Sequence, residues 1–256
     1  MRIVLSNDDG ILADGLAALH AAVADMGRVT VVAPEVAQNA VGHSITLKVP
    51  MAVRSVRVER GGFDGISVAG RPADCVSLAI RKLVDGPPDL VLAGINDGAN
   101  AGVNVFYSGT VAAAAEAAFL GVPAFAFSAA REGEEPDYER CGRLARWVLD
   151  RFLADGLAAG DLINVNFPVT RSGFPLGVRV VPQSTAEVKE VYHRSEGADG
   201  GPYYRLADQY SFAHQADTDV EALAEGYITI TPLHVDMTNH DRLVGLSRRS
   251  WPSPPP

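Results

Sequence analysis

Short apolar runs alternate with stretches of helical spacing along the chain, and polar residues gather where the apolar runs end. Arg2 to Ser6 is an apolar run that meets Asn7-Asp8-Asp9-Gly10, which predicts a strand ending in a loop. Leu16 to Met26 is rich in Ala and Leu at helical spacing and stops at Gly27. Val29 to Ala33 predicts a second buried strand, closed by Pro34. Strand, helix and strand in this order begin a parallel sheet.

The alternation continues. Ile45 to Val58 predicts extended structure or a hairpin, Gly65 to Ala69 a short strand, and Ala73 to Val84 a helix. Asp89 to Ala93 reads as a buried strand, and Gly94 to Tyr107 as a loop. Ser108 to Leu120 predicts a helix with Ser108 as its N-cap. Val122 to Phe127 is a strand, Tyr138 to Leu153 an amphipathic helix, and Leu162 to Val165 another strand. Through about residue 170 this is the pattern of a doubly wound α/β sheet.

Beyond that point the pattern changes. Val178 to Pro182 predicts a strand. Residues 183–215 are polar, contain tyrosines and lack a helix period, which suggests an arm for oligomer contacts. Val220 to Glu225 predicts a short helix capped by Asp217 or Asp219, and Tyr227 to Pro232 a strand. Residues 246–256 read as a proline-rich tail. The expected organisation is one domain over 1–256, with a core of about 1–170 and a C-terminal part of about 171–245.

Composition narrows the partners. A chain of 256 residues with 47% hydrophobic and 21% charged residues can bury a sizeable core without disulfides or structural metal. A net charge of -9 with no basic block argues against a nucleic-acid polymer or an anionic membrane as partner. Cys75 and Cys141 lie in no C-x-x-C motif, which fits a reduced, cytoplasmic setting. The apolar run at the N-terminus is too short for a signal peptide. The longest apolar stretch, Val111 to Ala130, is broken by Glu116, Gly121 and Pro123, so it predicts helix then strand, not a membrane span.

Candidate chemistry lies at four strand ends, where open α/β sheets bind ligands. Asp8 and Asp9 are adjacent carboxylates in one tight loop, and a bound cation would relieve their repulsion. Such oxygen donors suit Mg²⁺, Mn²⁺ or Ca²⁺; a solvated turn is the plain alternative. The loop after Pro34 carries Asn39, whose amide oxygen can ligate a hard cation, and His43, which is either a proton carrier near a metal or a structural histidine. The run from Gly94 to Asn104 places Asn96 near a strand end, and it is neither a P-loop nor a dinucleotide fingerprint. Tyr107-Ser108-Gly109-Thr110-Val111 opens a helix, whose exposed N–H groups and hydroxyls favour an anion. A cation loop beside an anion-binding helix start describes a metal-dependent phosphate site.

These segments resemble the SurE family, the survival protein E nucleotidases. The resemblance runs over about residues 1–240, in family order. It is carried by Ser6-Asn7-Asp8-Asp9-Gly10, Ala33-Pro34-Glu35, Gly70-Arg71-Pro72-Ala73-Asp74-Cys75, the run from Gly94 to Glu116, Asn164 to Pro168, and Glu225 to Leu233. It implies a Rossmann-like, three-layer, mostly parallel sheet with an extended C-terminal appendage, assembled as a homodimer or homotetramer. It further implies a metal-dependent phosphohydrolase acting on nucleoside 5′- and 3′-monophosphates and on short polyphosphate. Carried over by motif, Asp8, Asp9, Asn39 and Asn96 are metal ligands, with Asp8 and Asp9 catalytic. Ser108, Gly109 and Thr110 cradle phosphate, and Asn96 and Asn100 help bind it.

The departures from the family pattern are specific. Asn39 stands where the family most often has Ser, Ser6 where Thr is usual, Glu35 where Asp is, and Ala93 where Ser is common. Arg71 replaces the usual Thr, and is either a phosphate ligand or a solvated charge. Three other readings compete. A receiver module would need an aspartate where Gly94 stands, and a haloacid dehalogenase would need Asp-x-Asp after the first strand. A SurE-shaped protein that binds nucleotides without turnover is disfavoured by the presence of both Asp8 and Asp9. The sequence does not decide whether Asp8 attacks phosphorus or orients water.

Overall fold

The computed structural model describes residues 1–169, 173–189, 191–197, 201–206 and 211–252. The core begins with β1 (Arg2–Ser6), α1 (Asp14–Val23) and β2 (Arg28–Pro34). An edge hairpin follows, β3 (Val53–Val58) and β4 (Phe63–Val68), then α2 (Pro72–Leu78), which widens into a turn of π-helix over Ala79–Leu83. Next come β5 (Leu90–Asp97), the single turn α3 (Asn104–Tyr107), α4 (Gly109–Phe119), β6 (Ala124–Ala129), α5 (Tyr138–Asp155) and β7 (Leu162–Phe167). The C-terminal part holds β8 (Val178–Val180), β9 (Val188–Lys189), β10 (Tyr192–Glu196), β11 (Pro202–Leu206), β12 (Ser211–Phe212), α6 (Asp219–Ala224), β13 (Ile228–Leu233) and α7 (His240–Ser247).

Nine strands form the main sheet, in the order β3-β4-β2-β1-β5-β6-β7-β13-β8. From β4 to β7 every pairing is parallel. β3 runs antiparallel to β4, and β13 antiparallel to β7. The chain first builds outward from β1 through β2, then returns to add β5 on the other flank of β1. The carboxyl ends of β1 and β5 therefore lie side by side at the point where winding reverses, which is where such sheets leave a crevice.

Two apolar layers flank the sheet. On one face Leu16, Leu19 and Val23 of α1 and Val148 and Leu149 of α5 pack on Phe125, Phe127 and Phe167. On the other, Cys75 and Val76 of α2 and Ala113, Ala114 and Ala117 of α4 pack on Val4, Val91 and Ala124. The small alanines let α4 lie close to the sheet, which fixes where its N-terminus points.

Several boundaries differ from the predicted ones. The strand expected over Asp89 to Ala93 runs on to Asp97, because Asn96 and Asp97 pair with Ser128 and Ala129 of β6. Asn104–Tyr107 is helical rather than loop. Only Val53–Val58 of the stretch from Ile45 is strand. Thr218, not Asp217 or Asp219, holds the N-cap position of α6, and Asp219 is drawn into tertiary hydrogen bonds instead. α7 enters the stretch read as tail, capped by Asn239, whose side chain accepts the Arg242 N–H. Ser108 caps α4 as predicted. Part of the arm at 183–215, and residues 253–256 of the tail, lie outside the described residues. Among the described residues no helix is long and apolar enough to cross a membrane.

Candidate active site

The end of β1 is bent into the crevice by its own loop. Asn7 donates through its side-chain amide to the Gly10 carbonyl at 2.9 Å, closing a tight turn around the two aspartates. Gly10 sits at φ +99°, where a side chain is strained. The Ile11 N–H donates to the Pro34 carbonyl at 2.8 Å, and the Gln38 N–H to the Asp8 carbonyl at 2.7 Å. The loops after β1 and β2 are thus bonded to each other.

Asp8 is 5% exposed. Its carboxylate faces the start of α4. The Thr110 hydroxyl donates to Asp8 Oδ1, and the backbone amides of Gly109 and Thr110 add hydrogen bonds. Burial raises the proton affinity of Asp8, and these bonds oppose the rise. Gly109 explains how the carboxylate comes so near. A Cβ at this position would lie 2.7 Å from Asp8 Cβ and 2.9 Å from Pro72 Cγ. The helix start predicted to hold phosphate therefore also holds a carboxylate of the protein.

Asp9 is half-buried on the β5 side, and the Asp97 N–H donates to its Oδ2 at 3.3 Å. Its pKa is pushed up to about 6, first by burial and then by the charge of Asp8. Two carboxylates that resist ionisation side by side are what a cation stabilises. The donor set also fits a hard cation: Asp8 and Asp9 are oxygen donors, and Asn7 Oδ1 and Asp97 Oδ1 are buried acceptors without a hydrogen-bond partner. Among the described residues no group of three or more His, Cys, Asp or Glu side chains converges to hold a metal unaided. Neutral amides would have to complete the set. Asn96 is held by a 2.7 Å bond from its Nδ2 to the Gly98 carbonyl, and Asn39 is exposed one residue beyond Gln38.

The remaining predicted residues are placed as follows. Asn100 lies in a buried amide network. Its Nδ2 donates to Ser128 Oγ at 2.8 Å, and its carbonyl accepts from Asn164 Nδ2 at 2.8 Å and Asn166 Nδ2 at 3.3 Å. Ser108 Oγ accepts the Val111 N–H at 3.0 Å. His43 pairs with Glu116 at 3.1 Å, and this hydrogen bond holds the Glu116 carboxyl below its usual range. The Arg71 guanidinium donates to Gln38 Oε1.

The chain matches the family model described as "Survival protein SurE" over residues 3–190. It belongs to the SurE family. A SurE relative from Thermus thermophilus, named 5′-nucleotidase SurE 1, is 42% identical over 250 residues, 96% of this chain and 97% of the relative. The 5′-nucleotidase SurE of Syntrophobacter fumaroxidans is 40% identical over 250 residues, 97% of this chain and 99% of the relative. Among solved structures, the SurE protein of Aquifex aeolicus superposes with a TM-score of 0.83 at 35% identity, covering 96% of this chain and 98% of that one. The expected SurE fold class is met, and the relatives' names agree with the expected phosphoric monoester hydrolase.

Some participants were not among the predicted SurE residues. Asp97 donates its N–H to Asp9 and pairs with Arg131. Tyr138, at the head of α5, has its phenol pKa raised by burial and by the charges of Asp97 and Asp9. The Asp74 carboxylate accepts the Arg71 N–H at 2.8 Å and the Thr46 N–H at 3.0 Å, tying the loop after β2 to α2. The Asn-Asp pairing after the apolar run of β5 was the available signal for Asp97. Arg131 and Tyr138 carry no local signature.

Proposed function

We propose that this chain is a metal-dependent 5′-nucleotidase that hydrolyses nucleoside monophosphates to nucleoside and inorganic phosphate. The observation that carries the reading is the buried pair Asp8 and Asp9 set against the donors of the α4 start. Asp8, Asp9, Asn39 and Asn96 would hold a divalent cation, Mg²⁺ or Mn²⁺. When bound, such an ion polarises a phosphoryl oxygen and lowers the pKa of water.

The rest is the work of the chain. Ser108, Gly109 and Thr110 offer donors and a helix dipole to the phosphate oxygens, where charge grows as the ester bond breaks. Asn100, anchored by Ser128, Asn164 and Asn166, holds the loop between β5 and α4 in position. The oxygens of Asp8 are engaged by Thr110 and Gly109, which favours an orienting carboxylate over a nucleophile. Water then adds to phosphorus, the bond from phosphorus to the sugar oxygen breaks, and the nucleoside leaves with a proton. The same chemistry extends to 3′-monophosphates and short polyphosphate.

The reading includes assembly into a homodimer or homotetramer. The hairpin β10–β11 is exposed along both strands, with Tyr192, Tyr203 and Tyr204 all open to solvent. Large exposed apolar side chains of this kind suit a partner surface. A cytoplasmic setting fits the free, buried thiols of Cys75 and Cys141.

The experiment is a nucleotide and metal panel on the purified protein. Phosphate release is expected with Mn²⁺ or Mg²⁺, and is lost with chelator and with Asp9→Asn. Full activity of Asp9→Asn in saturating Mn²⁺ would sink the site assignment. Tight nucleotide binding without phosphate release under any metal would favour a binding protein.

A further inference from the structure

A cavity of about 310 Å³ lies at the ends of β2 and β4. Val36 and Val68 give it apolar walls, while Gln38 and Arg71 give it a polar edge. Both polar residues are tied to the phosphate site. Gln38 donates its backbone N–H to the Asp8 carbonyl at 2.7 Å. Arg71 precedes Pro72, whose Cγ limits the space at Gly109. Through these two ties the cavity adjoins the loop that carries Asp8 and the start of α4.

The polar edge has a definite character. Glu35, the one carboxylate lining the cavity, is taken by Arg54 at 2.7 Å. Among the described residues the Arg71 guanidinium has no carboxylate partner, and it is steadied by Gln38 Oε1. The Gln38 amide nitrogen leans toward the Val36 carbonyl at 3.4 Å. With the Gln38 acceptor used, Arg71 offers this edge N–H donors alone, because a guanidinium has no acceptor. A 6-oxopurine places two acceptors, N7 and O6, on one edge, and a guanidinium meets both. Adenine places an N–H donor where O6 would be.

We propose that Arg71, held by Gln38, reads the substrate's base and selects 6-oxopurine nucleoside monophosphates over the adenine nucleotide. This rests on the nucleotidase reading above. It assigns Arg71 to the base rather than to the phosphate.

The test is kcat/KM with saturating Mn²⁺ on guanosine, inosine and adenosine 5′-monophosphate and on 4-nitrophenyl phosphate, which has no base. The chain is compared with Arg71→Thr and Arg71→Lys. The unsubstituted enzyme is expected to favour the two 6-oxopurine nucleotides over the adenine one by roughly fivefold or more. Arg71→Thr should cut that preference by about 5- to 100-fold, mostly through KM. The loss on the guanine nucleotide should exceed that on 4-nitrophenyl phosphate by at least about fivefold. Arg71→Lys should recover only part, since a lysine cannot make the paired contact. An unchanged base preference in Arg71→Thr overturns the proposal, as does an equal loss on all four substrates. Turnover of 4-nitrophenyl phosphate with no nucleotide cleaved overturns the nucleotidase reading as well, so the two failures are distinct.

Discussion

At the scale of single residues, the crevice is built on closeness that only small groups allow. Asp8 reaches the α4 amides because position 109 has no side chain. Gly109→Ala should force Asp8 or Pro72 to move, at a cost of about 1–3 kcal/mol in stability. Phosphate release should fall at least about a hundredfold, since a misplaced site costs that much. A melting curve and a single-substrate assay check both; an alanine variant with ordinary activity would contradict the packing described. Asp9 makes a second prediction. The folded protein binds its proton more tightly than the unfolded chain does, so ionising Asp9 opposes folding in the absence of metal. That cost is absent below the unfolded pKa of about 4 and grows as the pH rises through about 6. Asp9→Asn removes it. In chelator at pH 7.5 the variant should be more stable than the parent by about 1–3 kcal/mol, and the gap should shrink steadily between pH 6 and pH 4 and close below that. Equal melting points at pH 7.5 would contradict this. The paired aspartates were legible in the sequence because adjacent charges in a loop are conspicuous. Thr110 as the partner of Asp8 was not, since no spacing reveals which side chain a distant helix delivers to a strand end.

At the scale of elements, the alternation of apolar runs and helical stretches located the main strands and helices of the core. Its errors have physical causes. β5 looks finished at Ala93 because Asn96 and Asp97 are polar, yet both pair with β6 inside the sheet and keep the strand going. α7 escaped because its helical signal is short, eight residues with none buried, and so shows no apolar face. The cap of α4 was readable, and it matters: Ser108→Ala should lose about 1 kcal/mol through the Val111 amide it satisfies. Thermal or urea unfolding gives the number. A neutral result would mean that the helix start is held by Asp8 and the sheet alone.

At the scale of the whole molecule, the proposed function has an acidic chain take an anionic substrate through a cation and a helix start rather than through surface lysines. Chelator should therefore abolish turnover while leaving the fold intact, and restored Mn²⁺ or Mg²⁺ should recover it; activity that survives exhaustive chelation would remove metal from the account. The hairpin β10–β11 is exposed along both strands in the C-terminal part. Replacing residues 191–206 by a short glycine-serine turn should lower the particle mass seen in light scattering, and an unchanged mass would place assembly elsewhere. The polar composition of this stretch showed only that it is not core. Pairing register between its strands depends on contacts that a polar pattern leaves open.

Asp219 sets a limit on how freely this architecture can be recombined. It is fully buried, and its two oxygens accept the Gly102 N–H at 2.9 Å and the Ser184 N–H at 2.8 Å. Gln183 adds a bond from its side chain to the Gly102 carbonyl at 2.8 Å. One carboxylate thus rivets the loop between β5 and α4 to the base of the arm. An arm exchanged without matching this contact would leave a buried carboxylate short of its donors.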